Sequence, residues 1–154
     1  MQALVCAMLL LTCISITMLA QVTPSVATST LDKVHDALTT NEQGWKITRK
    51  ESIGNRTTYR WEMAGISKAE IHIFTYGSPA EAAAALQQRM MRVQVGPTAK
   101  LENLGDEAYI WNDSNRDTGI IRFRKGNFVI DVGASKSAIA KKFSAYTAEA
   151  LPEK

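Results

Sequence analysis

Two histidines are the residues best suited to acid–base chemistry or metal binding, and neither lies in a catalytic motif. His35 is beside Asp36 in a helical pattern, where we expect a solvated position. His72 shares one side of a predicted strand with Phe74 and Tyr76, where a partly buried, hydrogen-bonded histidine is expected. Two histidines so placed do not make a zinc site, and no Gly-x-Ser-x-Gly, Walker or dinucleotide-binding motif occurs. We therefore predict no catalytic residue, no cofactor and no metal, and a protein that is not an enzyme.

The acidic loop at 113–117 superficially resembles a calcium-binding loop of the form D-x-N-x-D. Such a loop needs glycine at its sixth position and a bidentate glutamate at its twelfth. This sequence has Thr118 and Arg124 at those positions, so we predict a polar hairpin loop stabilised by Asx turns. Asp106 and Glu107 are adjacent in a turn, and on a strand their side chains would point apart, which disfavours paired-carboxylate catalysis.

A modest cationic patch is the first candidate for binding a partner. Alternation along the predicted hairpin turns Arg122 and Arg124 toward water, with Lys125 and Arg116 nearby. Such a patch suits an anionic protein or a component of the cell envelope. The alternative is a solubilising face on which Arg122 pairs with Asp131. The net charge of +3 is scattered along the chain, so we expect no nucleic-acid partner.

Two aromatic residues are the second candidate, because Tyr109 and Trp111 point to the same side of a predicted strand. They either belong to the core or line a groove under a helix.

The first twenty residues contain no charged side chain and are rich in Leu, Met, Ile and Ala. They predict a signal peptide cleaved after Ala20, or after Ala27, and hence a secreted or periplasmic protein. The alternatives are an uncleaved membrane anchor or lipidation at Cys13, although Thr12 replaces the small residue that a lipoprotein signal carries there. Both cysteines lie in this leader, so the mature domain has no disulfide. Residues 21–28 are predicted to be a tether, and 29–154 a single globular domain.

A β-hairpin organises the predicted domain. Apolar residues alternate with polar ones on both sides of Lys125-Gly126, which we take as the two-residue turn. Phe123 then lies opposite Phe128 and Ile121 opposite Ile130, all facing the core. The other face of the hairpin is predicted to be largely exposed to water.

The remaining elements follow from periodicity and from capping residues. Ser78-Pro79-Ala80-Glu81 is a capping box with proline at the first helical position. Predicted helices begin at Ser29 or Thr30, at Pro79, and at Ser135 or Ser137. Predicted strands cover 45–52, 57–63, 69–76, 107–111 and the two arms of the hairpin, with a further short strand at 100–103 left open. The order α-ββ-β-α-βββ-α predicts an α+β fold with a mostly antiparallel, twisted sheet of about six strands.

Three features together support a resemblance. They are the pattern Gly105-Asp106-Glu107-Ala108-Tyr109, the run 122–127 followed by a β-run and a final helix, and the capped helix before the last three strands. This combination resembles small exported bacterial envelope proteins of uncharacterised role with a Mog1/PsbP-like sandwich. A cystatin-like or NTF2-like sheet is the alternative fold. The resemblance implies a non-catalytic binding or accessory module of unknown ligand, and it supplies no catalytic residue. The alternatives are an envelope-associated assembly protein held by the leader, or an enzyme with a pocket between sheet and helices.

Overall fold

A computed structural model describes residues 24–92, 96–97, 99–113, 115 and 117–153. It confirms an α+β fold with three helices and an antiparallel sheet, which has seven strands rather than about six. The helices are α1 (Pro24–Asn41), α2 (Pro79–Met91) and α3 (Ser137–Ala150). The strands are β1 (Trp45–Ile53), β2 (Arg56–Met63), β3 (Ser67–Thr75), β4 (Ala99–Leu101), β5 (Glu107–Asp113), β6 (Thr118–Lys125) and β7 (Phe128–Ala134). The additional strand is the three-residue β4, in the region where the sequence suggests a further short strand at 100–103.

The strands lie in the order β1-β2-β3-β7-β6-β5-β4, and every neighbouring pair is antiparallel. Helices α1 and α3 pack against each other and against one face of this sheet, which we call the paired-helix face. Helix α2 packs on the opposite face, the α2 face, mainly over β6 and β7. The molecule therefore has three layers, but the two outer layers are unequal.

The core of the paired-helix face is built around aromatic side chains. Trp45, Trp61 and Phe143 are buried, and Phe143 contacts both tryptophans edge-on at centroid distances of 5.0 and 5.4 Å. Leu31 and Leu38 of α1 are fully buried against this group. Edge-to-face aromatic pairs add about 0.5–1.5 kcal/mol each beyond the burial of their area. This face holds most of the buried apolar surface and gives the sheet a rigid support.

The predicted register of the organising hairpin is wrong by two residues. Phe123 lies opposite Ile130 and Phe128 opposite Lys125, because the turn residues are Gly126 and Asn127. Gly126 has φ +59°, a conformation that glycine adopts without steric cost, and this places it as the first loop residue. A shift of two residues leaves every side chain on its predicted face. Ile121, Phe123, Phe128 and Ile130 are accordingly all buried in the predicted core.

The predicted tether at 21–28 is wrong in its described part. Helix α1 begins at Pro24, several residues before the predicted start at Ser29 or Thr30, and Ala27 is buried in the core. Proline is compatible with the first turn of a helix, where its missing N–H has no intrahelical partner. Residues 1–23, which include the predicted leader and Cys13, lie outside the described residues.

The capping box of α2 is confirmed. The Ser78 hydroxyl accepts a hydrogen bond from the backbone N–H of Glu81 at 3.2 Å. The Glu81 carboxylate in turn accepts one from the N–H of Gly77 at 3.0 Å. These bonds satisfy backbone donors that have no intrahelical partner and fix where the helix starts. The helix that starts here extends as far as Met91.

The predicted turn at Gly105-Asp106 is a close approach between two backbone segments. Gly105 has φ +67°, and a Cβ built on it would lie 2.3 Å from the carbonyl oxygen of Arg124. The same oxygen accepts a hydrogen bond from the N–H of Asp106 at 2.7 Å. Glycine is therefore required here for two reasons, its backbone conformation and the absence of a side chain.

Candidate functional site

The α2 face contains the groups with the most unusual surroundings. Its helix contributes Ala82 and Leu86 to a small cluster around the fully buried Val129. Beyond that cluster lie charged side chains, which the alternation along the hairpin predicts to be exposed to water. This prediction is wrong for the part of the hairpin under α2. The alternation predicts two faces but does not indicate that a helix crosses the second one.

Asp131 is at the centre of this covered region, where it accepts hydrogen bonds from two arginines. Arg122 Nε lies 2.7 Å from one carboxylate oxygen, and Arg89 Nη1 lies 3.1 Å from the other. Arg122 also donates to the carbonyl oxygen of Arg89 at 2.9 Å, near the end of α2. The side chains of Arg122 and Asp131 are only 15% and 13% exposed. The predicted pairing of Arg122 with Asp131 is confirmed, and it ties α2 to the sheet.

The predicted cationic patch does not form one shared surface. Arg122 is bound under α2, and Arg124 forms a 2.6 Å ion pair with Asp106 with its side chain 16% exposed. Lys125 faces the paired-helix side, where it donates to the carbonyl oxygens of Ala148 and Leu151 at the end of α3. These bonds satisfy carbonyls that a helix end leaves without partners. Arg116, the fourth predicted residue, lies outside the described residues.

The sequence leaves open whether Tyr109 and Trp111 lie in the core or line a groove, and the structure gives each of them a position. Tyr109 and Trp111 are both half-buried on the α2 face, with ring centroids 6.5 Å apart. Tyr109 packs against the cluster under α2, and its hydroxyl donates to Glu107 at 2.6 Å, which raises the pKa of the tyrosine. The guanidinium of Arg122 lies 5.4 Å from the centre of the Trp111 ring. Tyr109 therefore forms part of the packing between the sheet and α2, and Trp111 lies beside Arg122 on the same face.

The rest of the α2 face, over β1, β2 and β3, is an open strip of charged side chains. Arg49, Glu51, Arg56, Arg60 and Glu70 project from it, and each is between about a quarter and a half exposed. Ion pairs connect them, with Arg60 to Glu70 at 3.0 Å and Arg49 to Glu51 at 2.8 Å. The open strip therefore combines both signs of charge.

A hollow adjoins the open strip at Gly133. In the sheet register Gly133 lies between Glu70 of β3 and Ile120 of β6, and a Cβ added to it would meet no atom within 4 Å. The hollow has a volume of about 470 Å³. Its lining residues are Arg60, Lys68, Ala69, Glu70, Thr118, Gly133, Ala134 and Ser135. An isolated glycine inside a strand indicates such a place, and this is the signal from which the sequence analysis could have found it.

His72 borders the same strip but forms a structural pair. Its Nδ1 lies 2.8 Å from the hydroxyl oxygen of Thr58, a residue only 2% exposed. Burial lowers the pKa of His72 below the ordinary value of 6.5, although Glu70 and Asp131 act in the opposite direction. The pair brings a histidine next to a hydroxyl, but the hydroxyl is closed to a substrate.

His35 is half-buried rather than fully solvated, and its Nδ1 has no partner among the described residues. The predicted Asx turn is confirmed at Asp113, whose carboxylate accepts from the N–H of Asn115 at 3.0 Å. Within the described ranges no three His, Cys, Asp or Glu side chains are grouped as metal ligands. No helix in the same part of the chain has the length and apolar character needed to span a membrane.

Comparison of the chain with models of protein families, with curated proteins and with solved structures finds no match.

Proposed function

We propose that this protein is a non-catalytic binding module whose ligand surface is the open strip of the α2 face together with the hollow at Gly133. A leader at residues 1–20 would bring it to the cell envelope. The ligand would meet the sheet directly, and the helices would act as its support.

The observation that carries this proposal is the unequal coverage of the two sheet faces. Two helices of 18 and 14 residues pack on the paired-helix face, whereas a single helix of 13 residues packs on the other. A sheet face over three strands is thereby left to solvent, next to a shallow hollow of about 470 Å³. The sheet that carries the strip packs on its other face against a continuous buried core, and a surface supported in this way would lose little entropy on binding.

The chemistry of the hollow favours a polar ligand. Arg60 and Lys68 supply cationic donors, Glu70 supplies an acceptor, and Thr118 and Ser135 supply hydroxyls. A ligand with both donors and acceptors, such as a polypeptide segment with charged side chains, matches this lining better than an apolar molecule does. The nearly balanced charge of the open strip also disfavours a polyanion as the partner in this place.

The surroundings of His72 support a binding role rather than catalysis. Its closest polar contact is the buried hydroxyl of Thr58, which a substrate does not reach. A nucleophile must be able to approach the reacting atom while bound to its base. The pair is thus better suited to holding β2 against β3.

Filling the hollow tests the proposal. Gly133 has room for a side chain and a backbone conformation that other residues adopt, so Gly133→Leu should fold normally. Ala138→Leu adds the same side chain to an exposed position on α3, at the opposite face, and is the matched control. We expect a partner from the envelope fraction to be retained by the immobilised wild type and by Ala138→Leu, and lost from Gly133→Leu. Retention of the same components by all three proteins would refute the proposal.

A further inference from the structure

A second, smaller pocket lies beside α2 and has a different chemical character from the hollow. It has a volume of about 360 Å³. We call it the arginine pocket, and its lining residues are Tyr76, Gln88, Arg89, Arg92 and Arg122. Every one of these side chains carries at least one hydrogen-bond donor, and none carries a negative charge.

We propose that the arginine pocket binds an oxyanion, the carboxylate or phosphate group of a small molecule. Three guanidinium groups line it, and among the residues that the structure describes the one carboxylate that pairs with them is Asp131, shared between Arg89 and Arg122. Arg92 forms no ion pair with any other described residue. The local charge is therefore positive by two, and a bound anion would offset it. This inference goes beyond the proposed function, because it concerns different residues and a different class of ligand.

Two of the three guanidinium groups are held in place before any ligand arrives. Arg89 is bonded to Asp131, and its guanidinium lies 3.6 Å from the centre of the Phe74 ring. Arg122 is fixed by Asp131 and by the carbonyl oxygen of Arg89. These contacts remove much of the side-chain freedom that an anion would otherwise have to restrict on binding.

The fixed groups retain donors for a ligand. A guanidinium has five N–H donors in a planar fork that matches the geometry of carboxylate and phosphate. Arg89 uses one nitrogen in its bond to Asp131, and Arg122 uses two nitrogens in its bonds to Asp131 and Arg89. Arg92, together with the Gln88 amide and the Tyr76 hydroxyl, would complete the contacts. A neutral or cationic ligand would leave these charges uncompensated.

The test titrates inorganic phosphate and, separately, succinate into the ¹⁵N-labelled full chain at low and at moderate salt. We expect saturable shifts in the amide signals of Gln88, Arg89 and Arg122. Phosphate binding without succinate binding would identify a phosphate site, and the reverse would identify a carboxylate site. Either result supports the proposal.

Arg92→Gln removes the exposed cation while keeping a polar side chain. It should weaken the binding of the favoured anion about tenfold, the effect of losing one charge-assisted hydrogen bond. Arg49→Gln makes the same change of charge on the open strip and should leave the affinity within about twofold, because Arg49 does not line the arginine pocket and its charge is screened at that separation. Equal weakening in both variants, or no saturable shift with either anion, would overturn the proposal. Gly133→Leu should bind the anion like the wild type, so this test and that of the proposed function fail independently.

Discussion

The two faces of the sheet are covered by different kinds of side chain. The paired-helix face is covered by large apolar side chains, with Trp61, Phe123 and Phe143 all fully buried. The α2 face is covered by an alanine-rich helix over a small apolar cluster, and a carboxylate bound to two arginines lies where that cluster ends. Apolar packing stabilises without directional demands, whereas the ion-pair network requires each charge to keep its partner. The stability of one face therefore depends on apolar burial, and that of the other also on paired charges.

The largest expected effect on the free energy of unfolding comes from truncating one buried side chain on each face, Phe123→Ala on the paired-helix face and Leu86→Ala on the α2 face. Both side chains are fully buried, one on each face. Phe123→Ala should lower the free energy of unfolding by about 3–5 kcal/mol, and Leu86→Ala by nearer 2 kcal/mol, because the small cluster next to the open strip can relax around the lost atoms. Denaturant melts of the two variants measure both values.

Hydrogen exchange adds a second readout to the same pair of variants. Leu86→Ala should speed exchange mainly in α2, since that helix packs against little else than β6 and β7. Phe123→Ala should speed exchange across the whole sheet. If both variants instead show the same increase in exchange rate throughout the chain, the two faces unfold as one unit and differ in composition only.

The sequence predicts the paired-helix face well and the α2 face poorly, for a physical reason. Strict alternation makes Ile121, Phe123 and Ile130 face the core in any register shifted by an even number of residues. The same pattern contains no information on where α2 crosses the sheet, because its alanines fit against almost any surface. Arg122 was therefore expected in water, and the structure places it under the helix. The pairing with Asp131 was predictable, because both residues project to the same side of neighbouring strands.

The candidate site is harder to predict from the sequence than the fold is. Gly133 is an isolated glycine in a strand, which is a recognisable signal, but its neighbours come from β3 and β6, which are distant in sequence. Arg89 and Arg92 belong to a helical pattern, and neither their type nor their spacing indicates a binding role. Their role depends on which residues of the sheet lie opposite them, and those contacts are known only from the folded structure.

Arg124→Ala tests how much the ion pairs of the α2 face contribute to stability. The earlier expectation that Arg124 faces water predicts a nearly silent Arg124→Ala. Its side chain is instead 16% exposed and bonded to Asp106, so we expect a loss of about 1–2 kcal/mol. Arg49→Ala, which removes a more exposed pair with Glu51, should cost no more than about 0.5 kcal/mol. Equal losses in chemical denaturation would show that burial does not distinguish the two arginines.

The smallest expected effect is a dependence of stability on pH that originates in His72, beside the open strip. Burial lowers the pKa of His72 in the folded protein below 6.5, and the guanidinium groups of Arg56 and Arg89 act in the same direction. The unfolded chain therefore takes up the proton first as the pH falls. The free energy of unfolding should decrease as the pH drops below about 6.5, and level off once the folded histidine is also protonated.

His72→Gln should abolish this decrease, whereas His35→Gln, which replaces the other histidine, should retain it. The decrease is separable from that caused by Asp32, whose pKa is lowered mainly by its hydrogen bond from Lys50. The stabilising contribution of Asp32 is present above 3.8 and is lost only as the pH falls below that value. Urea unfolding of the three proteins between pH 5 and 8, a range set by histidine titration, measures the difference. A decrease that persists in His72→Gln, or that disappears in His35→Gln, would show that His72 is not the group responsible for the loss of stability in this range.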